Sequence, residues 1–123
     1  MPAAGDASTG IVRELQRALR NRVIGGSCSA SDVAEVLSMH RRTLNRCLQR
    51  EGTTFRAVLD RVRFEAARGL LRDERREIDE VARALGYAEP SAFTRAFRRW
   101  CGVAPADCRK SGGRHSLRRA DAA

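Results

Sequence analysis

Apolar residues recur at three- and four-residue steps over most of this chain, which is the spacing of one face of an α-helix. The first series contains Ile11, Leu15, Leu19 and Val23, and Gly25-Gly26 follows it. Glycine commonly ends a helix because it adopts the left-handed conformation without strain. No useful length of chain shows the two-residue alternation of a strand. The pattern therefore predicts an all-α fold that opens with one amphipathic helix.

Two short helices are predicted next. Ser29, with Asp32 three positions later, resembles a capping box in which a side-chain oxygen and an acid support the positive end of a helix. This helix extends through Leu37. A second short helix follows from about Arg41 to Glu51 and ends at Gly52. Together they form one helical pair at about residues 29–52.

The longest predicted helix covers about residues 54–72. Thr53 or Thr54 can cap its start, and its apolar positions recur from Phe55 to Leu70. At 1.5 Å per residue, roughly 19 residues would extend about 28 Å. A helix of this length can hold two small units at a fixed separation.

A second helical pair follows the charged stretch 72–77. It consists of Ile78 to Leu85 and of about Pro90 to Trp100, and Gly102 ends it. Pro105 suits the first turn of a final short helix, because the missing N–H of proline would be unpaired there anyway. The whole pattern predicts about seven helices.

The two helical pairs repeat one another. Each has a small residue where two helices cross, an apolar residue before a tight turn, and Ser38 or Gly86 within the turn. These are the requirements of a helix-turn-helix unit. The pattern predicts two such units, at about residues 29–52 and 77–102. The matching residues, 48 positions apart, are Val33 with Val81, Ala34 with Ala82, and Leu37 with Leu85.

The second helix of each unit carries polar residues on its outward face. Arginine can donate two hydrogen bonds to guanine, and asparagine or glutamine can pair with adenine, so these residue types suit the major groove of DNA. In the second unit, Arg95 is the best candidate for a base contact, while Arg98 and Arg99 suit phosphate. The predicted DNA-binding residues are Arg41, Arg42, Thr43, Asn45, Arg46, Gln49, Arg50, Ser91, Thr94, Arg95, Arg98 and Arg99.

Composition and charge point to the same partner. The chain has 123 residues, 24 Lys and Arg against 15 Asp and Glu, and a formal net charge of +9. This length allows one domain or two very small ones, and a large catalytic fold does not fit. An excess of positive charge on two duplicated hairpins favours double-stranded DNA. The aromatic residues are assigned to the core rather than to base stacking.

Other functional classes find little support. The four cysteines, Cys28, Cys47, Cys101 and Cys108, lack paired zinc-site spacing, so no metal or cofactor is predicted. No set of residues has an acid-base or nucleophile arrangement, so we expect no enzyme. His40, near a helix start, is assigned to capping or phosphate contact. Without an apolar run of about 20 residues or a signal peptide, the expected location is cytoplasmic, with no membrane partner.

The chain resembles the DNA-binding domain of AraC/XylS-type transcription regulators over about residues 10–110. The second unit carries the specific part of the resemblance, in Ile78 to Tyr87, Glu89 to Trp100 and Gly102 to Pro105. The segment from Arg42 to Glu51-Gly52 resembles the first unit of the family. Two positions depart from its usual caps, His40 and Ala88, and Cys108 stands where an aromatic residue is common.

This resemblance implies two helix-turn-helix units, joined by a long helix, that enter successive major grooves on one face of promoter DNA. It places Arg42, Asn45 and Arg46 at base-contacting positions of the first unit. The family usually recruits RNA polymerase, and its members commonly carry a separate effector-binding or dimerisation domain. The chain is therefore expected to be a C-terminal fragment or a short stand-alone member.

The outer segments and an alternative function complete the expectations. Residues 1–9 and 111–123 are predicted to be disordered, the second as a basic tail. The alternative function is a helical protein-interaction module that binds an acidic partner or an RNA polymerase subunit. Failure of a mobility shift with any duplex, combined with retained partner capture, would favour that alternative.

Overall fold

Seven α-helices make up the part of the chain that the computed structural model describes, residues 7–25 and 28–117. Within these ranges there is no strand. The predicted all-α class, with about seven helices, is confirmed. The helices are α1 (Ala7–Arg22), α2 (Ala30–Val36), α3 (Arg41–Arg50), α4 (Phe55–Leu71), α5 (Ile78–Ala84), α6 (Pro90–Cys101) and α7 (Pro105–Lys110).

Local side-chain bonds determine where α2 and α4 begin. The Ser29 hydroxyl oxygen accepts from the backbone N–H of Asp32 at 3.1 Å, which confirms the predicted cap of α2. The Thr54 hydroxyl oxygen accepts from the N–H of Ala57 at 3.0 Å. Thr54 rather than Thr53 is therefore the cap of α4. Each bond satisfies a backbone donor that has no partner inside its helix.

The starts of α3, α5 and α6 differ from this pattern. His40 stands at the cap position of α3 but its side chain makes no capping hydrogen bond, so the predicted capping by His40 is wrong. Its backbone conformation alone starts the helix. Glu89 is equally without a capping bond before α6. At α5, the backbone N–H of Glu77 donates to Glu80 Oε1 at 2.8 Å.

The duplicated sequence produces a duplicated backbone. Ser38, in the turn between α2 and α3, has a φ of +57°, and Gly86, in the turn between α5 and α6, has a φ of +89°. Both residues occupy the left-handed region of backbone conformation, which residues other than glycine rarely adopt. The same hydrogen bond closes both turns: Met39 N–H to Ala34 O at 2.9 Å, and Tyr87 N–H to Ala82 O at 3.0 Å.

The helix α4 lies at the centre of the molecule and packs against α1, α5 and α6. The sequence predicted an inward face ending at Ala66 and Leu70, which are only partly buried, whereas Ala67 and Leu71 are buried. The buried face is wider than one amphipathic stripe because helices cover α4 from more than one side. The predicted aromatic core is largely confirmed, since Phe64, Phe93, Phe97 and Trp100 are buried and Phe55 is half-buried.

The two ends of the fold also show contacts that the sequence did not reveal. Helix α1 begins at Ala7, within the segment predicted as disordered. Of the predicted tail, residues 111–117 are described, and the Gly113 carbonyl accepts from Arg68 Nη2 at 2.7 Å. Arg109 Nε donates to the Leu71 carbonyl at 2.8 Å, which ties α7 to the end of α4. Residues 1–6, 26–27 and 118–123 lie outside the described residues.

Candidate nucleic-acid interface

Helix α3 presents a polar face opposite its buried one. Leu44 and Leu48 are buried and hold the helix against the core, and Cys47 is half-buried. This arrangement leaves the other sides of the helix in solvent, because residues three or four apart share a face. Exposed predicted residues of α3 are Arg41, Arg42, Thr43, Asn45, Arg46, Gln49 and Arg50.

Five of these residues lie together along one open groove on the surface of α3: Arg41, Arg42, Asn45, Arg46 and Gln49. The set contains three guanidinium groups and two side-chain amides. Among the described ion pairs, none involves an arginine of α3. Their positive charge is therefore available to an external anion, and the amides are available to hydrogen-bonding partners.

Helix α6 repeats the arrangement with different residue types. Phe93, Phe97 and Trp100 are fully buried and form its inward face. Thr94, in contrast to the other predicted residues of α6, is half-buried. This face has more arginine and fewer amides than that of α3, so phosphate contacts form a larger share of what it can do. The exposed predicted residues are Ser91, Arg95, Arg98 and Arg99.

A buried carboxylate on α4 was not predicted from the sequence. Asp60 is 6% exposed, and the nearest ion-pair contact is with Arg56 Nε at 3.5 Å. The i,i+4 spacing of Arg56 and Asp60 was the available indication. An aspartate is rarely buried unless it is paired. Asp60 lies inside the helix that separates the two units, so it belongs to the support of the interface rather than to its surface.

The cysteines and acidic residues show no metal-binding cluster within the described ranges. None of the four cysteines forms a disulfide within the described residues, and burial raises the pKa of Cys28 and of Cys108. A raised pKa keeps a thiol protonated and poorly nucleophilic. Among the described residues, no group of three or more metal-binding side chains could hold an ion. No described helix combines the length and apolar character needed to cross a bilayer.

The fold and its two exposed polar helices define a class of protein, the helix-turn-helix regulators of transcription. The family model described as "Helix-turn-helix domain" matches residues 33–111. This range starts within α2 and ends just after α7, so it covers both units and the helix between them. The chain belongs to this family, in its AraC type, and the family binds DNA and regulates transcription.

Individual relatives agree with this assignment. The chain is 48% identical over 82 residues to an uncharacterized HTH-type transcriptional regulator of Mycobacterium tuberculosis. This match covers 67% of this chain and 24% of the relative. The crystal structure of the transcriptional regulator CdpR from Pseudomonas aeruginosa matches with 52% identity and a TM-score of 0.63, over 67% of this chain and 26% of that chain. The chain thus spans about a quarter of the length of these relatives.

A shorter solved structure supports the fold over a larger share of the chain. An AraC-type DNA-binding regulator from Chromobacterium violaceum matches with a TM-score of 0.76 at 24% identity. The match covers 91% of this chain and 98% of that chain. At this identity the likeness establishes the shared fold, and a match over 91% of this chain extends beyond residues 33–111 into α1.

Proposed function

We propose that residues 10–110 form a sequence-specific DNA-binding domain that inserts α3 and α6 into successive major grooves on one face of promoter DNA. The observation that carries this proposal is the exposed groove of α3, which gathers three arginines and two amides. The repeated backbone of the second unit supports a second insertion. An α-helix fits the major groove, and these residue types match base edges there.

The polar residues divide into two roles in this proposal. Arg42, Asn45 and Arg46 contact base edges in the first groove, and Arg95 does so in the second. Ser91 and Thr94 contact either a base edge or a phosphate. Gln49 shares the base-reading face of α3 with Arg42, Asn45 and Arg46. The remaining residues position the helices on the DNA backbone through polar contacts to phosphate. These positioning residues are Arg41, Thr43, Arg50, Arg98 and Arg99.

Substitution of one arginine in each unit tests this function. The preferred duplex is first selected from a randomised library, and affinities are then measured on that duplex and on single-base variants of it. Arg46→Ala and Arg95→Ala should each lose about 1–3 kcal/mol and relax specificity at separate base pairs. Arg75→Ala is the control, because Arg75 is exposed on the loop before α5 and pairs with Asp73.

Two outcomes would contradict the proposal. Selection that enriches no sequence would exclude specific binding by this domain. An equal loss of affinity on every sequence would assign Arg46 and Arg95 to phosphate rather than to bases.

The proposal extends to the place where the domain acts, to its partner protein and to the rest of the intact regulator. We propose that the domain acts in the cytoplasm, without catalytic activity, and that RNA polymerase is its partner at the promoter. The match to this chain covers only about a quarter of each relative, which supports a separate effector or dimerisation domain in the intact regulator. Run-off transcription from the selected duplex, with and without the domain, measures the effect on polymerase.

A further inference from the structure

We propose that Arg63 and Tyr87 form a joint that fixes the orientation of the second helix-turn-helix unit relative to α4, and thereby sets the half-site spacing that the domain accepts. Both are positioning residues, and neither belongs to the predicted DNA-contacting set. This inference rests on the proposed function, because spacing has a meaning only when both units bind one duplex. Each recognition helix contacts one half-site of the duplex, so the separation and orientation of the two helices determine the distance between half-sites.

Arg63 lies near the middle of α4 and points toward the second unit. Its guanidinium carbon is 5.6 Å from the centre of the Tyr87 ring. Its Nε is buried and has no hydrogen-bond partner among the described residues. A cation over an aromatic face is held more strongly when water is removed from it. The ring of Tyr87 is therefore a specific contact for this arginine rather than an incidental neighbour.

Tyr87 transmits this contact to the recognition helix α6. It follows Gly86 in the turn of the second unit, and its ring centre is 5.5 Å from that of Phe93. Phe93 is fully buried on the inward face of α6, directly before Thr94 and Arg95. Because packed interiors resist small displacements, a shift of the Tyr87 ring would move the helix that carries these residues.

Burial raises the pKa of the Cys28 thiol, and the positive charges of Arg63 and Arg22 act against that rise. Cys28 stands directly before the cap of α2, so the charge of Arg63 also acts on the segment that leads into the first unit. A backbone contact parallels this one, since Gly25 N–H donates to the Ala84 carbonyl at 3.2 Å.

Other charged groups surround the joint without replacing it. Burial has the largest effect on the pKa of Tyr87 and raises it, and the charge of Arg63 lowers it. Asp60, one turn before Arg63 on α4, raises this pKa, while Arg99 and Arg56 lower it. The phenol therefore stays neutral over the physiological range. Arg63 alone among these arginines lies over the Tyr87 ring in the described structure.

Duplexes with altered half-site spacing test the joint. The selected operator is lengthened or shortened by one or two base pairs between its half-sites, and two further duplexes keep one half-site while the other is randomised. The wild-type domain should lose affinity steeply when the spacing changes. Arg63→Met, which keeps an unbranched apolar chain, should bind the original spacing about tenfold more weakly and discriminate less between spacings.

Two conservative variants control for a general loss of structure. Tyr87→Phe keeps the ring and should retain the spacing profile of the wild type. Arg63→Lys keeps a cation and should recover part of the discrimination that Arg63→Met loses. Affinity for each single half-site should be equal, within about twofold, in all variants, because the joint does not contact DNA. Circular dichroism and thermal unfolding identify any variant that does not fold; if Arg63→Met does not, Arg63→Lys carries the test, since it should discriminate between spacings less than the wild type does, and an unchanged profile would overturn the joint.

The outcomes separate this inference from the proposed function. An unchanged spacing profile in Arg63→Met, or an equal loss on two-site and single-site duplexes, would overturn the joint while leaving two-groove binding intact. A wild-type domain whose affinity is insensitive to spacing would instead contradict two-groove binding, and the joint with it. A spacing profile flattened in Arg63→Met and retained in Tyr87→Phe would support the joint.

Discussion

Ser38 and Gly86 show how one backbone requirement is met by different residues. Both lie in the left-handed region at equivalent turns, and only one of them is glycine. For a residue with a side chain this conformation costs roughly 1–2 kcal/mol. Glycine avoids that cost but loses about 0.5–1 kcal/mol through the greater freedom of its unfolded chain. The first unit therefore carries backbone strain that the second unit does not.

Replacing Ser38 by glycine should relieve this strain. We expect Ser38→Gly to raise the free energy of unfolding by about 0.5–1 kcal/mol, measured by urea denaturation. Ser31→Gly is the matched control, because Ser31 lies inside α2 and glycine there should destabilise the helix by about 0.5–1 kcal/mol. A loss of stability in Ser38→Gly would show that the serine side chain contributes more than its backbone conformation costs.

At this scale the sequence predicted local bonds well and distant ones poorly. The cap at Ser29 joins two residues only three positions apart, Ser29 and Asp32, so their spacing alone was sufficient. The stacking of Arg63 on Tyr87 joins residues 24 positions apart, and no periodicity predicts it. The predicted DNA contacts remain predictions, although the exposure of Arg46 and Arg95 agrees with them.

Among the elements, α4 has the largest influence because it packs against both helices of the second unit and against α1, which in turn packs against the first unit. Its seventeen residues correspond to about 25 Å of helix. The sequence predicted its existence, its approximate length and its cap. It did not predict the full buried face, since a pattern of apolar positions shows one stripe and not how many neighbours cover the helix. Asp60 and Leu71 became recognisable as interior residues only from the packing.

The start of α4 should be sensitive to its cap. We expect Thr54→Ala to lower the free energy of unfolding by about 1 kcal/mol, because the N–H of Ala57 then loses its acceptor. Thr53→Ala is the control, since Thr54 makes the described capping bond. Chemical denaturation measures both variants. Equal losses in the two variants would show that the cap bond adds nothing specific to the stability of α4.

For the molecule as a whole, the internal repeat was the most informative feature of the sequence. It predicted two equivalent turns, and the hydrogen bonds that close them are equivalent. The contacts of residues 111–117 could not be predicted in this way, because they depend on where the end of α4 lies relative to α7. Arg109 and Arg68 use their guanidinium groups on backbone carbonyls there. Part of the positive charge of the chain is thus structural.

The remaining exposed charge should appear in the salt dependence of DNA binding. Each phosphate that is neutralised contributes about −0.9 to the slope of log affinity against log salt concentration. Arg98 and Arg99 are exposed at the end of α6 and are assigned to phosphate, so Arg98→Ala combined with Arg99→Ala should reduce the steepness by about 1.8.

Arg75→Ala combined with Arg76→Ala removes the same charge from a loop where both arginines pair with Asp73. That control should keep the wild-type slope, because net charge alone does not neutralise a phosphate. Equal slopes in the two double variants would assign the salt dependence to overall charge rather than to contacts of α6.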